Sequence, residues 1–185
     1  MLGRLGNNLF QYALGRVLAE KHGVPLVMDG SWFNAEGWGQ VKCLRQLLGP
    51  ASGTVKVVRR GSLASRVLLK ATGKHYWEYR GVPILRENES DQSFDPRFIQ
   101  APADCMLFGY FQTPLYFEGL ESRLREELST HHLGLEHSRE ALAERLRECG
   151  SVAVHVRRTD YSGNPDLDLC GQDYSRDSMQ QMRDT

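Results

Sequence analysis

The sequence lacks long apolar runs, and it lacks an excess of either charge. No stretch approaches the roughly 18 consecutive apolar residues of a membrane-spanning helix, so we predict no transmembrane segment. Lysine plus arginine number 23, and aspartate plus glutamate also number 23. Because nucleic-acid binders rely on a net basic surface to neutralise phosphates, this balance argues against a nucleic-acid partner.

Cysteine is sparse as well, and its spacing excludes two further classes of protein. The four cysteines form no C-x-x-C pair: Cys43, Cys105, Cys149 and Cys170. Their scatter favours buried free thiols over a zinc site or a disulfide scaffold. With no signal peptide visible either, we expect a reducing cytoplasm as the compartment.

What is present is the composition of an ordinary globular protein. Apolar residues make up 41% and charged residues 25% of the 185 positions, which predicts a packed core. This length suits one domain, or one domain and part of another.

The most informative stretch is Ser151–Tyr161, with the sequence SVAVHVRRTDY. Its apolar run, Val152–Val156, predicts a short buried strand of a parallel sheet covered on both faces. Arg157 and Arg158 follow at once, at the strand end where α/β proteins bind ligands, and guanidinium groups match phosphate oxygens in pairs. A strand end whose arginines only reach solvent explains the pattern equally well.

A second signal lies in the first 23 residues, where apolar side chains recur at helical spacing. Asn7 or Asn8 is expected to cap this helix, and Gly23 stands where a helix-ending glycine belongs. The glycine loop before the helix contains Gly3 and Gly6, and it favours an anion at the helix N-terminus. A tight turn capped by asparagine is the equally good structural alternative.

The remaining pattern predicts a series of short α/β elements. We expect strands over Val24–Asp29 and Cys105–Phe111 and a surface loop over Glu87–Pro102. Helices are expected over Gln40–Leu48, around Phe117–Leu128, and over Ser138–Cys149, where Leu142 and Leu146 would face inward.

Three blocks carry a resemblance to a known family. GRLGNNLFQYA, GYFQTPLYF and HVRRTDY, in this order, resemble the α-1,2-fucosyltransferases of glycosyltransferase family 11. The third block is also similar to a motif of α-1,6-fucosyltransferases, and GRLGN is similar to the glycine loop of protein O-fucosyltransferases. Thr159 stands where most family 11 members have glycine.

The resemblance implies an α/β fold of the GT-B type, built from Rossmann-like layers. It implies an N-terminal, acceptor-side domain over residues 1–150 and only the beginning of a GDP-fucose-binding domain over residues 151–185. Because family members continue further, it also implies that this chain is a fragment or a shortened product.

The implied activity is inverting, metal-independent transfer of L-fucose from GDP-fucose to a hydroxyl of a terminal galactose in a glycan. Arg157 and Asn7 match the family's catalytic positions, Arg157 on the donor's β-phosphate and Asn7 at the reacting fucose and phosphate. GDP-fucose binding would involve both of these residues and their neighbours: Arg4, Gly6, His155, Arg158 and Asp160.

The implied partners are therefore a sugar nucleotide and a glycan acceptor, with no cofactor and no metal. Asp29, Glu36 and Asp160 stay open as general bases, and peripheral membrane association and a Golgi location in a eukaryote stay open too. Two alternatives remain at this point. One is a truncated, non-catalytic fucosyltransferase-like protein, and the other is a different nucleotide- or phosphate-binding protein.

Overall fold

A computed structural model describes residues 1–30, 38–48, 55–58, 67, 71, 80–88, 90–91, 93–128, 137–149, 151–155 and 172–183. The chain forms two compact units, Met1–Gly134 and Leu135–Thr185. The predicted domain boundary after residue 150 stays a prediction.

The first unit combines helices with two small parallel sheets. Its elements follow in chain order: α1 Leu5–His22, β1 Leu26–Asp29, α2 Trp38–Leu47, β2 Val55–Val58, β3 Ile84–Arg86, α3 Pro96–Ile99, β4 Met106–Phe108, a 3₁₀ turn Pro114–Tyr116 and α4 Glu121–Glu127. Strand β1 pairs with β2 in register Leu26↔Val55, and β3 pairs with β4 in register Ile84↔Met106. Helices packed with parallel strands confirm the α/β class predicted from the sequence.

Helix α1 ends where the sequence predicted and begins where it did not. Gly23 adopts φ 64°, and its N–H bonds back to the carbonyl of Glu20, which closes the helix in a left-handed turn. The N-cap, however, is Arg4, with no side-chain capping bond, so the prediction of an asparagine cap is wrong. The helix starts early enough to place both asparagines inside its first turns.

Two apolar clusters pack on different faces of α1. Tyr12 and Ala13 join the first cluster with Met28 and Leu124. Leu14 and Leu18 join the second, an aromatic cluster completed by these residues: Phe98, Ala101, Phe111 and Tyr116. Phe98 lies in helix α3 and is only 2% exposed. The stretch Glu87–Pro102, predicted as a surface loop, therefore contributes a residue to the core.

The second unit contains helices α5 His137–Glu148 and α6 Gln172–Arg183. Between them, residues 151–155 form no strand, and Val152 and Val154 are 62% and 47% exposed. The buried strand predicted from Val152 is therefore wrong over its described part. A parallel strand needs hydrogen-bonded neighbours, and no described residue of this unit supplies one.

The apolar side chains of helix α5 do not face inward as predicted. Leu142 and Leu146, predicted to face inward, are half-exposed. Across the described ranges, no helix combines the length and apolar content needed to cross a membrane.

Candidate functional site

The first two sequence blocks meet at the beginning of helix α1. Gln112 donates from Nε2 to Oδ1 of Asn7 at 2.7 Å, a bond between residues 105 positions apart. Arg4 and Gly6 flank Asn7 and are both exposed. Three of the predicted site residues, Arg4, Gly6 and Asn7, therefore share one surface with Gln112, which we call the α1 start site.

The α1 start site lies at the carboxyl ends of two strands. The Met1 ammonium group donates to the carbonyl oxygen of Asp29, the last residue of β1, at 2.6 Å. Gln112 follows shortly after Phe108, the last residue of β4. Ligands of α/β proteins bind just beyond the carboxyl ends of parallel strands, so the position suits a binding site.

The carboxylate of Glu87 fixes the backbone of the turn that presents Gln112. Glu87 accepts hydrogen bonds from the backbone N–H of Tyr110 at 2.6 Å and of Phe111 at 3.1 Å. Phe111 adopts φ 55°, a left-handed conformation that costs a non-glycine residue energy, while its ring is buried in the aromatic cluster. Thr113 N–H then bonds to the Phe111 carbonyl at 2.9 Å, leaving Gln112 at the tip of the turn.

The two glycines of the loop have different physical roles. Gly3 has φ 70°, and a Cβ there would lie 2.1 Å from Nδ2 of Asn7, so the fold itself requires glycine. A Cβ on Gly6 would meet nothing within 4 Å. Packing among the described residues does not require glycine at position 6, but a ligand that approaches the backbone closely would.

The backbone of the first turn favours an anion. The N–H groups of Leu5, Gly6 and Asn7 have no carbonyl partner within the helix, because the first intrahelical bond runs from Asn8 N–H to the Arg4 carbonyl at 3.0 Å. No acidic side chain lies in this turn to balance the positive end of the helix dipole. A phosphate at this position would accept from these groups.

Asn8 adds a buried acceptor below the site. Its side chain is 0% exposed and donates from Nδ2 to the Arg4 carbonyl at 2.9 Å. Among the described residues, its Oδ1 atom has no hydrogen-bond partner. An unsatisfied buried oxygen costs stability, and a bound water or ligand group at the site would satisfy it.

Sequence reasoning missed three residues of this site: Asn8, Glu87 and Gln112. Asn8 was visible as the second half of an asparagine pair but was considered only as a cap. Glu87 carries no local signal, because its partners Tyr110 and Phe111 are more than twenty residues away.

The remaining predicted site residues belong to the second unit. His155 is exposed and lies in no helix or strand. Arg157, Arg158 and Asp160 lie outside the described residues. The described residues contain no group of three or more histidine, cysteine, aspartate or glutamate side chains that could hold a metal ion.

A second polar cluster on α1 is buried, and the half-exposed Arg123 and Glu20 contact it from the surface. Glu127 accepts from the Tyr12 hydroxyl at 2.5 Å and from Nη2 of Arg16 at 2.7 Å, and all three residues are buried. Burial alone would raise the pKa of Glu127, but hydrogen bonds from Arg16 and Tyr12 outweigh it and hold the pKa below its ordinary value. Because its three members are buried and bonded to one another, this cluster has the structural role of joining α1 to α4.

The comparisons with known proteins add no relative. No protein-family model, no curated protein and no solved structure matches this chain.

Proposed function

We propose that the α1 start site binds a phosphate-bearing sugar nucleotide. The bond between Gln112 and Asn7 carries the proposal, because it unites two of the three blocks that resemble fucosyltransferases. Three backbone N–H groups without helical partners and an uncovered Gly6 favour a phosphate at the same place.

Within that class, we propose transfer of L-fucose from GDP-fucose to a galactose hydroxyl. The bond between the fucose anomeric carbon and the phosphate oxygen breaks, and the departing GDP keeps its electron pair. The acceptor oxygen forms the new bond from the opposite face and loses its proton to a carboxylate. Of the three carboxylates that the sequence leaves open as the base, Asp29 is the one among the described residues, and its backbone carbonyl contacts the Met1 ammonium near the start of α1.

The leaving group sets the electrostatic requirement. As the bond breaks, charge grows on the phosphates, and fixed donors aimed at them lower the barrier. On this proposal, Asn7 and the α1 N–H groups supply part of that stabilisation. The resemblance to fucosyltransferases separately assigns Arg157 the role of chief leaving-group stabiliser, because a bidentate guanidinium group matches phosphate oxygens in pairs.

The first experiment measures GDP or UDP release from three donors: GDP-fucose, GDP-mannose and UDP-galactose. Lactose serves as the acceptor and EDTA is present throughout. We expect release from GDP-fucose alone, together with a fucosylated lactose product. Equal release from all three donors, or no release from any, would contradict the proposal. GDP binding without transfer would instead support the non-catalytic alternative.

Replacing Arg157 tests the proposed leaving-group stabiliser. Arg157→Ala is expected to lower kcat by several powers of ten, as loss of a charge partner in the transition state does. Arg157→Lys should restore little, because a point charge lacks the planar fork. Arg176→Ala, on exposed α6, is the control, since Arg176 pairs with the surface carboxylates of Asp173 and Asp177. Near-normal turnover of either Arg157 variant would refute this role.

A further inference from the structure

Glu87 lies outside the three blocks that resemble fucosyltransferases, yet it contacts the second of them. It follows strand β3 directly, and its backbone N–H donates to the carbonyl oxygen of Phe108, the last residue of β4, at 2.9 Å. The pairing of the two strands is therefore extended by one hydrogen bond past β3. This bond places the Glu87 side chain beside the turn that follows β4.

Gly109 makes room for the Glu87 side chain. A Cβ at position 109 would lie 2.5 Å from Cβ and 2.7 Å from Oε2 of Glu87, and 2.9 Å from the ring of Phe111. The φ angle of Gly109 is not positive, so its backbone conformation does not call for glycine. The first glycine of the GYFQTPLYF block therefore serves the close packing of the turn against Glu87.

Both carboxylate oxygens of Glu87 accept hydrogen bonds from this turn. Oε2 accepts from the Tyr110 N–H at 2.6 Å, and both oxygens accept from the Phe111 N–H at 3.1 Å. Bonds to an ionised acceptor are stronger than bonds between neutral groups. The ring of Phe111 meets the ring of Phe98 edge to face, with 4.9 Å between the centroids. Phe111 is thus fixed through its backbone and its ring, which sets the direction in which the chain reaches Gln112.

Gln112 in turn fixes the polarity of the Asn7 amide. Nε2 of Gln112 donates to Oδ1 of Asn7, so the acceptor atom of that amide is occupied. The other amide atom, Nδ2, carries two N–H groups and lies against Gly3 in the glycine loop. Asn7 therefore presents donors beside the first turn of α1, whose backbone also offers N–H groups. This polarity suits an anionic oxygen, whereas a flipped amide would turn an acceptor towards it.

We propose that Glu87 is a positioning residue that, through Gln112, holds Asn7 as a hydrogen-bond donor to a phosphate oxygen. The carboxylate fixes the backbone of the turn, the turn places Gln112 Nε2 on Asn7 Oδ1, and Asn7 Nδ2 is left for the ligand. This role rests on the proposed function, because the phosphate is that of the sugar nucleotide. Donors that are already oriented bind the phosphate more tightly than mobile ones, since they lose less freedom on binding.

The affinity of the full chain for GDP tests the proposal. Gln112→Ala, at an exposed position, should weaken GDP binding about tenfold, the effect of one lost orienting hydrogen bond. Glu87→Gln is nearly isosteric but leaves one oxygen to serve two N–H groups, and it should weaken binding by a similar factor. Because both changes act on the same contact, the double variant should bind no more weakly than Gln112→Ala. Glu118→Gln, at an exposed position beyond the same turn, is the control and should leave the affinity unchanged.

NMR of the chain without nucleotide separates this role from the proposed function. Glu87→Gln should speed exchange of the Phe111 amide proton at least about tenfold and shift the side-chain amide resonances of Asn7. Gln112→Ala should shift the Asn7 resonances and leave the Phe111 exchange unchanged, since the bonds to Glu87 remain. These signals in a chain that binds no GDP would refute the proposed function and its phosphate, while retaining Glu87 as the residue that orients Asn7.

Three results would overturn the positioning role. One is normal GDP affinity in Glu87→Gln, with unshifted Asn7 resonances. A second is an additive loss of affinity in the double variant, which would mean that Glu87 acts independently of Gln112. A third is unfolding of Glu87→Gln together with normal affinity in Gln112→Ala, which would make Glu87 a structural residue only.

Discussion

Helix α1 carries two polar clusters of opposite character. The cluster of Tyr12, Arg16 and Glu127 is buried, and each charged group faces a partner within hydrogen-bond distance. The α1 start site is open to solvent. Within the described ranges, the buried Asn8 oxygen has no partner there, and no neighbouring atom requires glycine at position 6. Polar groups that all have hydrogen-bond partners stabilise a fold, whereas polar groups without partners near a surface can bind a ligand. On this one helix, the first cluster therefore has a structural role and the second is the candidate functional site.

The largest effect should come from opening the closed cluster. Glu127→Ala leaves the buried Arg16 guanidinium with only the more distant Glu20 carboxylate, 4.0 Å away, which is expected to cost up to about 3–5 kcal/mol of unfolding free energy. Urea denaturation measures it. The control is Glu126→Ala, an exposed neighbour on the same helix, for which we expect a change below about 0.5 kcal/mol. Similar losses in both variants would show that the ion pair has no special importance.

Protonation of Glu127 at low pH should weaken the same cluster and lower the stability of the fold. Because the pKa of Glu127 is lower in the folded than in the unfolded chain, unfolding takes up a proton as the pH falls. The contribution of Glu127 to the free energy of unfolding is complete above its ordinary pKa near 4.5. This contribution is lost as the pH falls through the lower pKa of Glu127 in the folded chain. Stability measured from pH 7 to pH 3 should therefore fall less steeply in Glu127→Gln than in the natural chain. Parallel curves would contradict the assignment.

The glycines of the open site should respond in opposite directions. Gly3→Ala forces a left-handed alanine against Asn7 and is expected to cost at least about 1–2 kcal/mol. Gly6→Ala meets no atom and should raise stability by about 0.5–1 kcal/mol, since alanine is the better helix former. If a phosphate approaches Gly6, Gly6→Ala should nevertheless lower transfer from GDP-fucose. A Gly6→Ala variant with higher stability and unchanged transfer would remove Gly6 from the site.

The smallest change in stability is expected at Asn8. Asn8→Leu loses the hydrogen bond to the Arg4 carbonyl but also removes the unpaired buried oxygen, so the two effects should nearly cancel, to within about 1 kcal/mol. Tyr12→Phe is the comparison in the closed cluster, where loss of a bond to a charged carboxylate should cost about 1.5–3 kcal/mol. Thermal denaturation of both variants tests the ranking. A larger loss at Asn8 would mean that its side chain is mainly structural.

The local sequence pattern predicted single helices and strands better than it predicted which elements pack or pair with them. The apolar stripe of α1, its end at Gly23 and the following strand β1 were all visible, because they depend on spacing and backbone preference within a few residues. The strand predicted from Val152 was not found in its described part, since an apolar run does not decide whether a neighbour is present to pair with it. Side chains that bond within their own helix, as Asn8 does, also resemble caps in sequence.

The sequence by itself determined helix α1 with its end at Gly23, strands β1 and β4, helices α2 and α4, and which residues resemble a sugar-nucleotide site. Only the tertiary structure decided that Asn7 meets Gln112 and that Glu127 neutralises Arg16. These contacts join residues many tens of positions apart. Propensity acts within a turn or a strand, whereas such distant pairs are selected by the packing of the whole unit.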